Sequence, residues 1–161
     1  MGRWNAAAVV AVLLAAMPAS AETVVNGCII EPETNCKWRD LTHAALEQAN
    51  LEGADLMASH LTGSNLRGAN LEWSVLQVAF LDQTDLRGAN LRNLTAFAGN
   101  WQGANLEGAD LSKSNFTKAN LKDANLKGAR IDGAIFIGTA FSGATWIDGR
   151  VCAAGSVGEC K

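Results

Sequence analysis

The chain of 161 residues has no Tyr, two Pro and two His, and these shortages narrow its chemistry before anything present is weighed. No Cys-x-x-Cys spacing occurs, which removes the usual redox and zinc signatures. Gly-x-Ser-x-Gly, His-Glu-x-x-His and a phosphate-binding P-loop are missing too. Thirteen Lys and Arg face sixteen Asp and Glu, for a net charge of −3. The charges are interspersed, so the basic stripe that nucleic-acid binding needs is absent. The dense acidity of a protein that imitates nucleic acid is absent as well. One apolar run exists, Ala6 to Met17, and about a dozen residues is too short to span a bilayer.

That run lies in a segment unlike the rest. Met1 to Ala21 has one early cation, Arg3, then the apolar stretch, Pro18 and the small-residue exit Ala19-Ser20-Ala21. It reads as a secretory signal peptide, residues 1–21, cut before Glu22. The remainder carries 12 basic and 16 acidic residues, net −4, and has no second long apolar run. Val25-Asn26-Gly27-Cys28 faintly resembles a lipoprotein cleavage box, but the hydrophobic run ends far upstream of it.

From Leu41 to Trp146, counting in fives reaches a large apolar residue at 21 of 22 stops, and Ala96 is the exception. Two residues before each stop sits a small one: Ala, Ser, Thr or Gly at 20 of 22, with Arg39 and Leu94 as exceptions. A period of five fits neither a helix nor an uninterrupted strand. The large and small residues lie two apart, so in an extended segment both face the same side. Asn or Asp between them points outward, and the next two residues, often including Gly, make a bend. Each unit buries its face only by stacking on others.

The runs Ala49-Asn50-Leu51-Glu52-Gly53, Ala69-Asn70-Leu71, Ala89-Asn90-Leu91, Ala104-Asn105-Leu106-Glu107-Gly108 and Ala124-Asn125-Leu126-Lys127-Gly128 resemble the pentapeptide-repeat family. The resemblance covers residues 39–148. It implies an all-β fold, a right-handed quadrilateral parallel β-helix with 20 residues per coil. About 5.5 coils at ~4.8 Å make a column roughly 26 Å tall. The expected organisation is a signal peptide (1–21), an N-terminal cap (22–38), the β-helix (39–148) and a C-terminal cap (149–161).

Sorted by twenties, the stops form four stacks. The weak one, Leu56, Leu76, Ala96, Phe116 and Phe136, leaves two readings: Leu94, Phe116 and Trp101 compensate for Ala96 in volume, or a one-residue slip puts Phe97 inside. Gly68, Gly88, Gly108 and Gly128 align at one corner, as a turn needing positive φ requires.

Four cysteines flank the repeats: Cys28 and Cys36 before, Cys152 and Cys160 after. Bridged Cα atoms lie within about 7 Å, far less than the column height, so the local pairs Cys28–Cys36 and Cys152–Cys160 are expected. Each closes a nine-residue loop worth roughly 2.6 kcal/mol in the chain-entropy view. Their role is to hold caps over open strand edges, with Trp38 and Val151 as lids.

The outer surface offers little chemistry. His43 and His60 fall on one side in neighbouring coils, too far apart to share a metal. Glu47, Glu52, Asp82 and Glu107 alternate with Arg67, Arg87 and Lys127 as a solvated face does, and a filled column lacks an enclosing pocket. No catalytic residue, metal or cofactor is assigned. Asn50, Asn70 and Asn90 stack on one side and Asn65, Asn105 and Asn125 on another, as amide ladders along the axis. One departure stands out: Trp73, Val75, Val78 and Phe80 face outward in the second coil, and Met57, Phe97, Ile135 and Ile137 continue along the fourth side. A contiguous exposed apolar patch marks a contact surface. The expected function is a non-catalytic structural or protein-interaction module, periplasmic or secreted, or in a thylakoid lumen in a photosynthetic source. Its partner is an unknown protein or a second copy of the chain, with no nucleic acid and no membrane span. The resemblance also raises gyrase protection by DNA imitation, which the export signal and modest charge disfavour because gyrase is cytoplasmic. A carbohydrate- or surface-binding β-helix is a third class, without a site to support it.

Overall fold

The computed structural model describes residues 23–161; the signal-peptide reading lies outside the described residues. From Asn35 to Thr145 the backbone forms parallel bridges between residues 20 apart, such as Asn50↔Asn70↔Asn90↔Asp110↔Arg130. Four such ladders start at Asn35, Asp40, Ala45 and Asn50. The expected stacking of every fourth unit is therefore observed, and the chain is an all-β solenoid. Each bridge is one residue wide, because a five-residue unit must also turn. Among the described residues the extended strands are thus only β1 (Val24–Val25) and β2 (Cys28–Ile29), an antiparallel pair.

One unit shows why the winding is stable. Leu66 and Gly68 donate upward to the carbonyls of Asp85 and Arg87, and Asn65 donates downward to Ala44. Ser64 N–H closes the preceding turn on Leu61 O, and Arg67 N–H is taken by Asn65 Oδ1 at 3.2 Å. All five N–H groups of the unit are satisfied, as a close-packed backbone requires. The Asn or Asp before each core residue is therefore structural: its carbonyl oxygen caps the one donor that the ladders leave over.

The third residue of every turn, from Trp38 to Gly143 in steps of five, has positive φ. Ten of these 22 positions are Gly and twelve are not. The expected corner of Gly68, Gly88, Gly108 and Gly128 is there, with φ between 62° and 68°, but all corners share the conformation. Val78, β-branched, is held at φ 50°, where such side chains are rarely tolerated.

Nineteen of the 22 stops are buried; Ile131, Phe136 and Trp146, in the last coil, are half-buried. The Ala96 unit keeps its register. Thr95 pairs with Asn115, Ala96 and Leu94 are buried, and Phe97 remains outside. Compensation in volume, not slippage, resolves the unit: the Trp101 and Phe116 rings meet edge to face with centroids 5.0 Å apart. Gly99 belongs to the same adjustment, since a Cβ there would lie 2.7 Å from Trp101 Nε1.

Both local disulfides are formed, Cys28–Cys36 and Cys152–Cys160, with Cα separations of 5.3 and 4.9 Å. The repeat begins earlier than the large apolar residues suggested. Asn35 already bridges to Asp55, and Cys36 occupies a fully buried stop. A cysteine there serves both core and crosslink. At the far end the chain reverses at Gly149 and pairs antiparallel, Thr145↔Val151 and Ala140↔Val157. The lids differ from expectation: Trp38 is 73% and Val151 66% exposed. Trp38 stands at a turn corner, which points it outward. Ends are closed instead by the disulfides, the β1–β2 hairpin and buried Ser156.

Candidate interaction surface

The face carrying the Asn35-to-Ile135 ladder collects Met57, Trp73, Val75, Val78, Phe97, Ile135 and Ile137, and also Trp38. Phe80 lies just past the Val78 corner, on the neighbouring ladder His60↔Phe80↔Asn100. Positions 20 apart stack, so its first corner reads Glu33, Gly53, Trp73, Asn93, Lys113 and Gly133 from base to top, and its second Trp38, Ala58, Val78, Ala98, Lys118 and Gly138. Between the corners lie Asp55, Val75, Thr95, Asn115 and Ile135, and beside them Met57, Gln77, Phe97, Thr117 and Ile137. Trp73 is 62% exposed; Val78, Phe80 and Phe97 are about 40% exposed, and Val75 and Met57 are half-buried. Ile135 and Ile137 do not continue the patch directly. A polar row, Lys113, Asn115, Thr117 and Lys118, separates them from Phe97, so the single strip expected is two apolar zones with a basic band between. Lys118 Nζ reaches down to 5.7 Å from the Phe97 ring centre, a cation–π contact.

Several of these residues do without the side-chain cap or the glycine that other positions of the column use. Val75, Phe80 and Ile135 stand where Asn or Asp caps a backbone donor, and lacking a side-chain acceptor they leave the N–H groups of Gln77, Asp82 and Ile137 without that cap. Trp73 and Val78 occupy left-handed corners where Gly is least strained. Departures from local consistency without structural gain are the signature of a site selected for something other than stability.

Trp73 also walls a recess. Gly53, lacking a side chain, leaves a hollow of about 300 Å³ lined by Pro32, Glu33, Glu52, Gly53 and Trp73. A second groove, about 400 Å³, lies on another face between Asp82, Gln83, Asn100, Gln102, Gly103 and Asp123. It is filled with mutual hydrogen bonds: Asp82 Oδ1 accepts from Thr62 at 3.1 Å and from Asn100 at 3.2 Å. Neither hollow encloses a nucleophile beside a base. His60 stacks on Phe80 with ring centres 4.7 Å apart, while His43 lies over Gly63. Among the described residues no three potential ligands cluster as a metal site, and no helix is long and apolar enough to cross a membrane.

Amide ladders run as expected through Asn50, Asn70 and Asn90, with Nδ2 donating to Oδ1 at 3.1 and 2.9 Å. Asn125 donates to Asn105 at 3.2 Å. Asn65 does not join them, because the next residue in its stack is Asp85. An unexpected third ladder joins Asn120 to Asn100 at 3.0 Å. Arg87 grips Asp85, and its hydrogen bonds hold that carboxyl below the ordinary range. Burial pushes the Asp110 carboxyl up, but hydrogen bonds from Ser112 with Arg130 and Arg92 nearby outweigh it and leave the pKa lowered. Charge is less interspersed along the axis than the composition suggests. Residues 23–86 hold three basic and nine acidic side chains, net −6, and residues 87–161 hold nine and six, net +3. The apolar zone around Trp73 lies in the acidic half and the Lys113–Lys118 band in the basic half.

Comparison with known proteins agrees with this geometry. The family model for pentapeptide repeats matches in eight copies, over residues 34–72, 54–93, 99–128 and 114–145. No curated protein matches the chain. Among solved structures, the chain is similar to HetL, a pentapeptide repeat protein involved in heterocyst differentiation regulation from the cyanobacterium Nostoc sp. strain PCC 7120. The identity is 30% and the TM-score 0.63, over 73% of this chain and 63% of HetL. The chain thus spans less than two thirds of HetL. Rfr23 from the cyanobacterium Cyanothece 51142 is 23% identical with a TM-score of 0.62, over 72% of this chain and 90% of that one. QnrB1, a plasmid-mediated fluoroquinolone resistance protein, is 19% identical with a TM-score of 0.62, over 66% and 55%. At these identities the last two show the fold alone, a right-handed β-helix. The matched repeats cover residues 34–93 and 99–145, well over half of the sequence, and the chain belongs to the pentapeptide-repeat family.

Proposed function

We propose that this chain is a non-catalytic, exported structural or protein-interaction module that engages a protein through the face bearing Met57, Trp73, Val75, Val78, Phe97, Ile135 and Ile137, with Phe80 at its edge. The observation that carries the reading is the misfit of that face. Val75, Phe80 and Ile135 take positions where Asn or Asp caps the backbone in most other units, bulky Trp73 and Val78 stand at left-handed corners, and six of the eight apolar side chains stay exposed. The filled core argues for binding over catalysis, because a reaction needs an enclosed site. In this reading the column is four-sided with about 5.5 coils, the count that a 20-residue register over residues 39–148 supports. Residues 23–33, ahead of the first repeat at Asn35, and residues 149–161 act as its caps.

Export is inferred from two features: the cleavable segment 1–21 and a pair of disulfides, which persist in oxidising compartments. The destination is the periplasm or the outside of the cell, or a thylakoid lumen in a photosynthetic source.

The test is affinity capture from the exported fraction with the mature protein as bait, beside the double variant Trp73→Glu, Phe97→Glu. A specific companion that disappears with the variant, while the variant keeps its far-ultraviolet spectrum and melting temperature, supports the reading. Identical capture profiles overturn it. A mature chain that does not begin at Glu22, or that fractionates with the cytosol, removes the export part.

A further inference from the structure

The face described above is complementary to itself, and we infer that two copies of the chain pack side by side and antiparallel through it. This deepens the interaction-module reading and rests on it. Consider a two-fold axis lying in the face, at right angles to the column and level with the Phe97 row. Rotation about it reverses the column but keeps each corner on its own side. The Trp73 corner of one copy then meets the Lys113 corner of the other, and Val78 meets Lys118. Phe97 meets Phe97 on the axis, and the row of Asp55 and Met57 meets that of Ile135 and Ile137.

The pairing accounts for several oddities of the face. Lys113 is exposed and forms no ion pair among the described residues. Across the dyad it faces Trp73, at the mouth of the recess. The carboxylates of that recess, Glu52 and Glu33, stand one and two rows further on, about 5 and 10 Å, within reach of an extended lysine side chain. An aromatic plane next to carboxylates suits an ammonium group. The basic band that divides the apolar zones is laid against the Trp73 row, in the acidic half of the partner copy. Met57 finds Ile137, the most exposed of the large aliphatic side chains at 71%. The polarity of the column, net −6 in residues 23–86 and +3 in residues 87–161, favours antiparallel over parallel alignment. Such an interface uses the same patch on both copies and closes on itself, so it yields a dimer and no filament. Five rows at ~4.8 Å make a face only about 24 Å tall, at the low end of specific interfaces. The dimer is accordingly weak and sensitive to salt.

Sedimentation velocity of the purified exported protein, disulfides intact and up to roughly 100 µM, should show the mass doubling with concentration. Lys113→Glu, and separately Glu33→Lys with Glu52→Lys, should each weaken dimerisation by about tenfold or more, since each sets like charges against each other. Mixing the two variants should restore the dimer, because the mixed pair again joins opposite charges at both contacts. A wild type that stays monomeric, or a mixture no better than the separate variants, overturns the inference. The capture experiment of the preceding section then decides separately whether the face serves a different protein. Both substitution sets are on exposed side chains, and unchanged melting temperatures confirm that the fold is intact.

Discussion

A single methyl group separates Gly99 from the residue the pattern calls for. Elsewhere the small position is mostly Ala, but here the indole of Trp101 occupies the space a Cβ would need. Gly99→Ala should therefore destabilise the protein by about 1–3 kcal/mol, the usual cost of overpacking. The double variant Gly99→Ala, Trp101→Leu should lose most of that coupling. Urea midpoints of the three variants check it, and additive effects in the double-mutant cycle would contradict the contact. The Gly at 99 was readable as an odd residue, but its cause was not. The indole lies beside residue 99 and also meets Phe116 edge to face, a residue that stacks over Ala96 and is brought there only by the winding. The same limit applies to Trp38 and Val151. Both were apolar and near the ends, and both are exposed, because where the chain turns or reverses decides which way they point.

At the scale of the element, the disulfides and the reversed C-terminal segment determine how the column ends. The last coil keeps three half-buried core positions, Ile131, Phe136 and Trp146, so this end is the more vulnerable. Replacing Cys152 and Cys160 together by Ala should lower stability by roughly 2.6 kcal/mol in the chain-entropy view, read as a fall in the urea midpoint. It should also raise light scattering on heating, as Phe141 and Gly143 lose the capping partners Ser156 and Cys152 and expose a strand edge. An unchanged midpoint would mean that the antiparallel pairing alone closes the column. The pairing of the cysteines followed from reach, since two ends of a column cannot touch. That Cys36 is itself a core stop did not follow, because cysteine can be read either as a crosslink or as a small apolar residue, and here it is both.

For the whole molecule, acid should be the main solution variable below neutrality. The carboxyls of Asp40, Asp85 and Asp110 all titrate below their ordinary values, the first held by hydrogen bonds from Thr42 and the second by Arg87. A carboxyl depressed in the folded state contributes stability at pH above its unfolded pKa, about 3.9, and loses it as pH falls through the folded value. Stability due to these groups should hold from about pH 5 upward and decline below about pH 4. The decline should be modest, because the groups are largely solvated. Urea midpoints across that range test this, and Asp110→Asn should flatten part of the slope. Stability that rises on acidification would reverse the sign of the argument.

The five-residue rhythm determined the solenoid and its register by itself, because every unit meets the same neighbours and a local pattern suffices to state a global winding. Asn caps, glycine corners and the candidate residues of the interaction face could be placed from that register. What the tertiary structure decided was everything that depends on two coils at once: the choice of compensation over slippage at Ala96, the exposure of Trp38, the recess that Gly53 opens beneath Trp73, and the basic row that divides the apolar face. Side-chain periodicity is a property of one chain segment, whereas exposure, recess and charge complementarity belong to surfaces assembled from residues 20 apart, and only the stacked molecule brings those residues together.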